Sequence, residues 1–214
     1  IMAMLQRQTY INDIVNRLSG LASSVELSGL LNLLGLHVIS EDFYVDLLNL
    51  IYGWKLRNAN SLQQNAPGID LVDDSNRILV QVTGTSTKGK IDHSLKEIPE
   101  KYTGYHFYFA PIVIDAKEQR KYKYSPPHEV VFNPKTDILD IHFIADKIKS
   151  MPAIEDIRTI AMFIKNNIQN DVPDTTQLTS GLNYIISQLA EDDLNECDFD
   201  MTEFEIEAKI SFNN

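Results

Sequence analysis

Three oxygen-bearing side chains stand where apolar residues surround them: Asp70, Gln81 and Thr83. Asp70 lies in the mainly apolar segment 68–72, and Gln81 interrupts the aliphatic run at 78–82. A buried amide without a hydrogen-bond partner costs about 1–3 kcal/mol, so we expect Gln81 to have a specific partner. Carboxylate, amide and hydroxyl oxygens are the ligands that Mg²⁺ or Mn²⁺ prefers. The three residues therefore predict a site for a hard divalent cation.

Two strands and a tight turn must position these side chains. Alternation with a period of two predicts strands at 68–72 and 77–83, and the short polar residues at 73–76 predict the turn. An antiparallel hairpin of this length brings Asp70 beside Gln81. In the first strand, Ile69 and Leu71 are expected on the face opposite to Asp70. An alternative stays open: Asp70 caps a loop and Gln81 bonds a neighbouring backbone edge.

A phosphate-binding motif overlaps the end of this hairpin. The segment GTSTKGK at 84–90 fits the first seven positions of a P-loop and precedes a predicted helix. Ile91 occupies the eighth position, where that motif needs a hydroxyl for magnesium. A weaker phosphate site at a helix start is the remaining expectation. Its candidate residues are Gly84, Thr85, Ser86, Thr87, Lys88, Gly89 and Lys90.

A helix with the apolar stripe Phe43, Leu47, Leu48 and Ile51 is predicted before the hairpin, with Ser40 as its N-cap. Glu41 has two interpretations. In the first turn it complements the helix dipole, and it is also a candidate catalytic acid near the sheet.

The order of predicted elements defines the fold class. A first strand is expected at 54–57, followed by the hairpin, a helix at 90–102 and a buried strand at 105–114. Helices are also predicted at 4–21, 140–150 and 152–168. The chain is therefore expected to be an α/β protein with an αβββαβ core and added N- and C-terminal helices.

Charge divides the chain into two predicted domains. Residues 171–214 contain 11 acidic residues against Lys209, whereas residues 1–170 contain 19 acidic and 18 basic residues. The acidic tail is expected to form a helix at 175–190 and a strand-like end at 204–212. Each would bury little alone, so we expect the tail to bind a protein partner or a second copy of the chain.

Composition limits the setting. Cys197 is the single cysteine, which excludes an intramolecular disulfide and a cysteine zinc cluster. The sequence contains no apolar run of membrane-spanning length and no signal-peptide pattern. A cytoplasmic protein without membrane contact is therefore expected.

Four segments together resemble the SMEK domain over residues 5–170: SEDFYVDLLNLIYGW, NAPGIDLVDD, ILVQVTGTSTKGKI and FNPKTDILDI. SMEK proteins resemble PD-(D/E)xK nucleases, and the ten residues between Asp70 and Gln81 suit that motif. The resemblance implies that Asp70 is a metal-binding residue and that Gln81 takes the (D/E/Q) position. It departs at Thr83, where the nucleases carry a lysine. Lys88 or Lys90 is the expected replacement.

The resemblance also implies a biological setting. SMEK proteins occur in bacterial gene clusters with ABC-type ATPases, interpreted as three-component anti-phage systems, and their C-terminal parts are thought to dock partners. The leading hypothesis is Mg²⁺- or Mn²⁺-dependent hydrolysis of a phosphodiester, with the ATPase or the third component bound through residues 171–214. The alternative is a non-catalytic nuclease-fold module that recognises nucleic acid or protein.

Overall fold

A computed structural model describes residues 5–30, 35–59 and 68–168, with the side chains at 28–30 and 35–41 excepted. By their internal contacts, residues 1–170 and residues 171–214 form two separate units. The predicted helix at 175–190, the strand-like end at 204–212 and their expected binding role lie outside the described residues.

A four-stranded mixed sheet forms the centre of the first unit. Its strands lie in the order β1 (Arg57–Asn58), β2 (Leu71–Asp73), β3 (Ile78–Thr83) and β4 (His106–Pro111). The first three strands are antiparallel neighbours, whereas β4 runs parallel to β3. The parallel pair requires a crossover, because a tight turn can join only antiparallel neighbours.

Five α-helices accompany the sheet in the described residues. The crossover between β3 and β4 is α3 (Lys88–Lys96), followed by a 3-10 turn at Glu100–Tyr102. The others are α1 (Gln6–Leu30), α2 (Gly35–Tyr52), α4 (Ile141–Lys149) and α5 (Ile154–Asn167). The order from α2 to β4 is helix, three strands, helix, strand. The molecule is therefore a mixed α/β protein.

Each face of the sheet packs against a separate apolar core. On one face, Ile78, Val80 and Val82 of β3 join apolar residues of α1, α2, α4 and α5. On the other face, Leu79 of β3 and Phe107 of β4 pack with residues of α3 and form the α3-side core. The predicted alternation of β3 and β4 is confirmed, because successive side chains enter opposite cores.

The predicted start of the second helix is wrong. The helix α2 begins at Gly35, so Ser40 is inside it rather than at its N-cap, and its first turn contains no acidic residue. Glu41 therefore does not complement the helix dipole from the first turn. N-cap preference is worth only about 1 kcal/mol, and tertiary packing often outweighs so small a term.

Other boundaries also differ from those predicted, including the strand expected at 68–72, which is Leu71–Asp73, and the strand expected at 105–114, which is His106–Pro111. The helix expected at 4–21 extends to Leu30, and the strand expected at 54–57 is reduced to Arg57–Asn58. The helix expected at 90–102 ends at Lys96, ahead of Pro99, which has an extended backbone. Proline lacks the N–H that a continuing helix would need.

The alternation expected at the start of β2 is also wrong. Ile69 packs in the α3-side core together with Val72, whereas Leu71 packs in the opposite core. Regular pairing with β3 begins at Leu71, so Ile69 precedes the pleated part of the strand.

No helix in the described part of the chain is long and apolar enough to cross a membrane.

Candidate functional site

The hairpin brings Asp70 and Gln81 into direct contact. The register pairs Leu71 with Val80, which sets Asp70 opposite Gln81 at the end of β3. Gln81 Nε2 donates a hydrogen bond to Asp70 Oδ2, and Gln81 is only 6% exposed. Asp70 is half-buried, so its carboxylate lies at the boundary between the core and solvent. The partner that the sequence required for Gln81 is therefore this carboxylate.

Main-chain groups of β3 complete this cluster. Asp70 Oδ2 accepts a hydrogen bond from Val82 N at 2.7 Å, and Gln81 Nε2 also donates to Val82 O at 3.1 Å. One amide group thus contacts a carboxylate oxygen and a main-chain carbonyl oxygen together. Val82 follows Gln81 in the same strand, so this second hydrogen bond is local and does not reach a neighbouring backbone edge.

Gly68 fixes the approach of the chain to Asp70. Its φ of +78° is one that side chains disfavour, and an added Cβ would lie 2.6 Å from Ser94 O of α3. Only glycine permits this close approach of two backbones without strain. The first residues of the hairpin are thereby held against α3.

The candidate phosphate residues surround the start of α3. Thr87 is the N-cap, and its hydroxyl accepts from Lys90 N at 3.2 Å. Thr85 N donates to Thr83 Oγ1 at 3.1 Å, so the Thr83 hydroxyl orders the loop after β3. A Cβ on Gly89 would meet nothing within 4 Å. Ile91, at the eighth P-loop position, is fully buried in the α3-side core.

The two candidate lysines differ in their surroundings. Lys88 Nζ forms an ion pair with Asp92 and lies 5.4 Å from the ring centre of Tyr124. Burial, followed by the charge of Asp92, raises the pKa of Tyr124 to about 12, so this ring stays neutral near pH 7. Lys90 is half-buried on the helix face that also carries Ser94, the residue against which Gly68 packs. Lys88 is therefore engaged by Asp92, whereas Lys90 shares a helix face with the residue that the start of the hairpin approaches.

The cluster offers donors for a hard cation but few charges. Asp70 Oδ2, Val82 O and, after rotation of its amide, the oxygen of Gln81 are suitable ligand types. Within the described residues, no group of three or more His, Cys, Asp or Glu residues comes together to hold a metal ion. The described cluster thus offers a cation one carboxylate together with neutral oxygens. The side chain of Glu41 lies outside the described residues.

Sequence reasoning missed the most completely enclosed carboxylate. Asp140 is 0% exposed and caps α4 by accepting from Phe143 N at 2.8 Å. Its other oxygen accepts from Arg120 Nη1 at 2.7 Å and from Ala116 N at 2.6 Å. Arg120 Nη2 also donates to Ile138 O at 2.9 Å. A helix-start aspartate was predictable at 140, but nothing local marks a partner 20 residues away.

The basic segment 117–123 is largely neutralised within the domain. Arg120 pairs with Asp140, Lys117 pairs with Asp115 at 3.3 Å, and Lys121 pairs with a neighbouring glutamate. The positive charge of segment 117–123 is therefore largely balanced by these neighbouring carboxylates.

An open surface pocket of about 330 Å³ also escaped the sequence analysis. It lies between the loop after β3 and the loop after β4, and it is lined by Ser86, Val113 and residues 115–119. Gln119 Nε2 donates to Ser86 O at 3.1 Å and joins the two loops. Within the described residues, Ser86 Oγ and Gln119 Oε1 are buried and have no hydrogen-bond partner. The unpartnered amide oxygen of Gln119 gave no signal in the sequence, because Gln119 lies in an ordinary polar loop.

Comparison with known proteins gives one result. The family model described as the SMEK domain matches residues 13–149, which is more than half of the chain. Neither the curated proteins nor the solved structures provided a match.

Proposed function

Because the chain belongs to the SMEK-domain family, we propose that residues 13–149 form a nuclease-like domain that binds and hydrolyses a phosphodiester at the Asp70–Gln81 cluster. One observation carries the proposal. The Gln81 amide reaches both Asp70 Oδ2 and Val82 O, so a carboxylate, an amide and a main-chain carbonyl converge at the end of β3. The αβββαβ order of elements supports a core of the PD-(D/E)xK type.

Each residue of the cluster has a specific role in this proposal. Asp70, the Gln81 carbonyl and Val82 O would hold Mg²⁺ or Mn²⁺, which would polarise a phosphate oxygen. The N–H groups after Thr83, at the start of α3, hold a neighbouring phosphate of the substrate. Lys90 replaces the lysine that is absent at Thr83 and stabilises the negative charge that develops on the phosphoryl oxygens.

The test compares two carboxylates of one hairpin. Purified full-length protein with Mg²⁺ or Mn²⁺ is incubated with single- and double-stranded DNA and RNA, with the partner proteins added in a parallel series. We expect Asp70→Ala to reduce cleavage by about 100-fold or more, because it removes the charged ligand. Asp74→Ala is the control, since Asp74 lies in the exposed turn and pairs with Arg57. If neither wild type nor Asp70→Ala cleaves any of these substrates, with or without the partner proteins, the catalytic proposal is refuted.

A second function is favoured by a specific observation. Gln81 presents its nitrogen to Asp70, and Thr83 occupies the lysine position with its hydroxyl engaged by Thr85 N. Those contacts suit a non-catalytic module that recognises nucleic acid or protein through the same fold. Calorimetric titration with millimolar Mg²⁺ and Mn²⁺, with and without a short oligonucleotide, separates the two functions. Binding of oligonucleotide without any binding of metal would favour the non-catalytic module.

The proposed setting is a bacterial three-component conflict system in the cytoplasm. Residues 171–214 then bind the ABC-type ATPase, the third component or a second copy of the chain through their acidic, amphipathic pattern. A chain ending at Asn170 is expected to keep the thermal transition of the domain and to lose partner binding or self-association. Sedimentation of both forms, alone and with each partner, checks this expectation. Unaltered assembly of the shortened chain would contradict it.

A further inference from the structure

Gln119 has no role in the phosphodiester site proposed above, yet it tethers the loop that leads to α3. Its Nε2 donates to Ser86 O at 3.1 Å, across 33 positions of the sequence. The other described hydrogen bonds of loop 84–87 join it only to residues between positions 83 and 91. Within the described residues, Gln119 is therefore the one long-range hydrogen-bond partner of this loop.

A buried carboxylate holds Gln119 in place. Ala116 N and the Arg120 guanidinium both donate to Asp140 Oδ2, at 2.6 Å and 2.7 Å, and Asp140 is 0% exposed. Gln119 N donates to Ala116 O at 3.0 Å, and Gln119 O accepts from Tyr124 OH at 3.0 Å. The main chain of Gln119 is thus fixed, so its amide can hold a second loop in one conformation.

The bond to Ser86 O also determines the direction of the next N–H group. The Ser86 carbonyl and the Thr87 N–H belong to one planar, trans peptide unit, so they point in opposite directions. Because the carbonyl is turned towards Gln119, the Thr87 N–H points away from it, and Thr87 is exposed. Rotation of this peptide unit would instead present a carbonyl oxygen, which repels a phosphate.

The Thr87 N–H lacks the acceptor that a complete capping box supplies. Thr87 is the N-cap of α3, and its hydroxyl accepts from Lys90 N at 3.2 Å. In a complete box, a Glu or Gln three residues after the cap accepts from the N-cap N–H in return. Lys90 has that position, and its ammonium group can only donate. The turn therefore contains an N–H group without its box partner and a positive charge, which together suit an anion.

Stability alone does not require glutamine at position 119. Its Oε1 is buried and has no hydrogen-bond partner in the described part of the chain. A buried polar atom without a partner is unfavourable, so methionine, which has a similar length, would remove this penalty and lose the bond to Ser86 O. The two changes oppose each other in the free energy of unfolding, whereas only the second alters the direction of the peptide unit 86–87.

We propose that Gln119 is a positioning residue of the phosphodiester site: by holding Ser86 O, it directs the Thr87 N–H to a non-bridging phosphate oxygen of the nucleic-acid substrate. This role rests on the function proposed above, which supplies the phosphate. It adds a residue of the loop after β4 to a site that is otherwise built from the hairpin and α3.

Inorganic phosphate is the first probe, because it carries the anion without a base or a sugar. Isotopically labelled full-length protein is titrated with phosphate, and the NMR amide signals of Thr87, Lys88 and Gly89 are followed. We expect a saturable shift of all three signals in wild type. In Gln119→Met the shift of Thr87 should be lost. The shifts of Lys88 and Gly89 should persist, because their N–H groups belong to the first turn of α3 and not to the peptide unit 86–87.

A fluorescent single-stranded oligonucleotide is the second probe. Its dissociation constant is measured over a series of salt concentrations, without divalent cations, so that it is not cleaved. We expect Gln119→Met to weaken binding by about tenfold at every concentration, which is the value of one charge-assisted hydrogen bond. The slope of log affinity against log salt should not change, because the variant removes no charge. Lys90→Ala should instead reduce this slope by about 0.7, the value for one lost cation on a single strand.

Two further variants separate this role from general loosening of segment 117–123. Gln119→Asn keeps the amide, but its side chain is one methylene shorter and does not reach Ser86 O, so it should reproduce both losses. Tyr122→Ala changes an exposed ring of the same segment and leaves the Gln119 amide intact, so it should retain the wild-type values. The urea midpoints of all three variants should stay close to that of wild type.

The outcomes separate the role of Gln119 from the proposed function. A Thr87 signal that shifts equally in wild type and Gln119→Met would overturn the role, as would the same losses in Tyr122→Ala. A Thr87 signal that does not shift in wild type, while Lys88 and Gly89 respond, also overturns it and leaves the proposed function standing. If no amide of residues 84–90 responds to phosphate, and no oligonucleotide is bound or cleaved, both the role and the proposed function fail.

Discussion

Two carboxylates of the domain, Asp140 and Asp70, have different surroundings. Asp140 is completely enclosed, and its oxygens accept bonds from main-chain N–H groups and from the Arg120 guanidinium. Asp70 is half-buried, and the described bonds to its Oδ2 come from Val82 N and the neutral Gln81 amide. The first carboxylate is therefore fully enclosed by its hydrogen-bond donors, whereas the second is partly exposed to solvent.

The comparison explains why the number of acidic residues near a site is a poor guide to function. Burial of a charge is tolerated where fixed donors and an opposite charge compensate the loss of hydration. Asp140 has both, and it joins the loop after β4 to the start of α4.

The largest effect should come from Arg120→Ala. This change leaves the fully buried Asp140 without its opposite charge, so we expect the free energy of unfolding to fall by about 3–5 kcal/mol. Urea denaturation at pH 7 measures it. The matched control is Lys121→Ala, the next residue, whose ion pair with Glu118 is exposed and worth about 0–1 kcal/mol. Similar losses in the two variants would show that Asp140 does not depend on this partner.

Gly68→Ala should have the next largest effect and should act on the Asp70 side. Both the positive φ and the predicted contact with Ser94 O oppose an alanine, so we expect a loss of about 2–4 kcal/mol. Gly53→Ala isolates the first cause, because Gly53 has a φ of +70° and open space around it. Its loss should be about 1–2 kcal/mol. Equal denaturation midpoints for the two variants would exclude the close approach to α3.

Asp73→Asn should have the smallest effect, and its effect should depend on pH. Burial alone would raise the pKa of Asp73, but the hydrogen bonds from Asn76 and from Lys55 N outweigh it and lower the pKa. A lowered folded-state pKa stabilises the protein fully above the ordinary aspartate pKa of about 3.9, and this contribution disappears as the pH falls through the folded-state value.

We therefore expect Asp73→Asn to cost about 1–2 kcal/mol at pH 7 and progressively less below about pH 4. Urea denaturation at a series of pH values from neutral to acid gives the difference between wild type and variant. A difference that stays constant into acid would contradict the assigned hydrogen bonds. The result also extends the comparison of carboxylates within the hairpin, since Asp73 accepts hydrogen bonds from Asn76 of the turn and lies three residues from Asp70.

The parts of the candidate site that were predictable depend on local pattern. Alternation and the polar turn at 73–76 predicted the hairpin, and the hairpin alone sets Asp70 opposite Gln81. Short-range geometry suffices here, because a tight turn leaves little freedom of register. The start of α2 failed for the opposite reason, since Ser40 carries a weak local signal within a helix that tertiary packing extends to Gly35.

The sequence by itself therefore determined the α/β class, the hairpin and the contact of Asp70 with Gln81. Tertiary structure alone decided how far each acidic residue is enclosed and which distant donors it meets. The parallel pairing of β3 with β4 brings the loop of Ser86 to the loop of Gln119, 33 residues further along the chain. The later return of the chain alongside β4, at Ile138, sets Asp140 against Arg120. These two contacts join residues that are 33 and 20 positions apart, so periodicity and turn chemistry, which act over a few residues, cannot predict them.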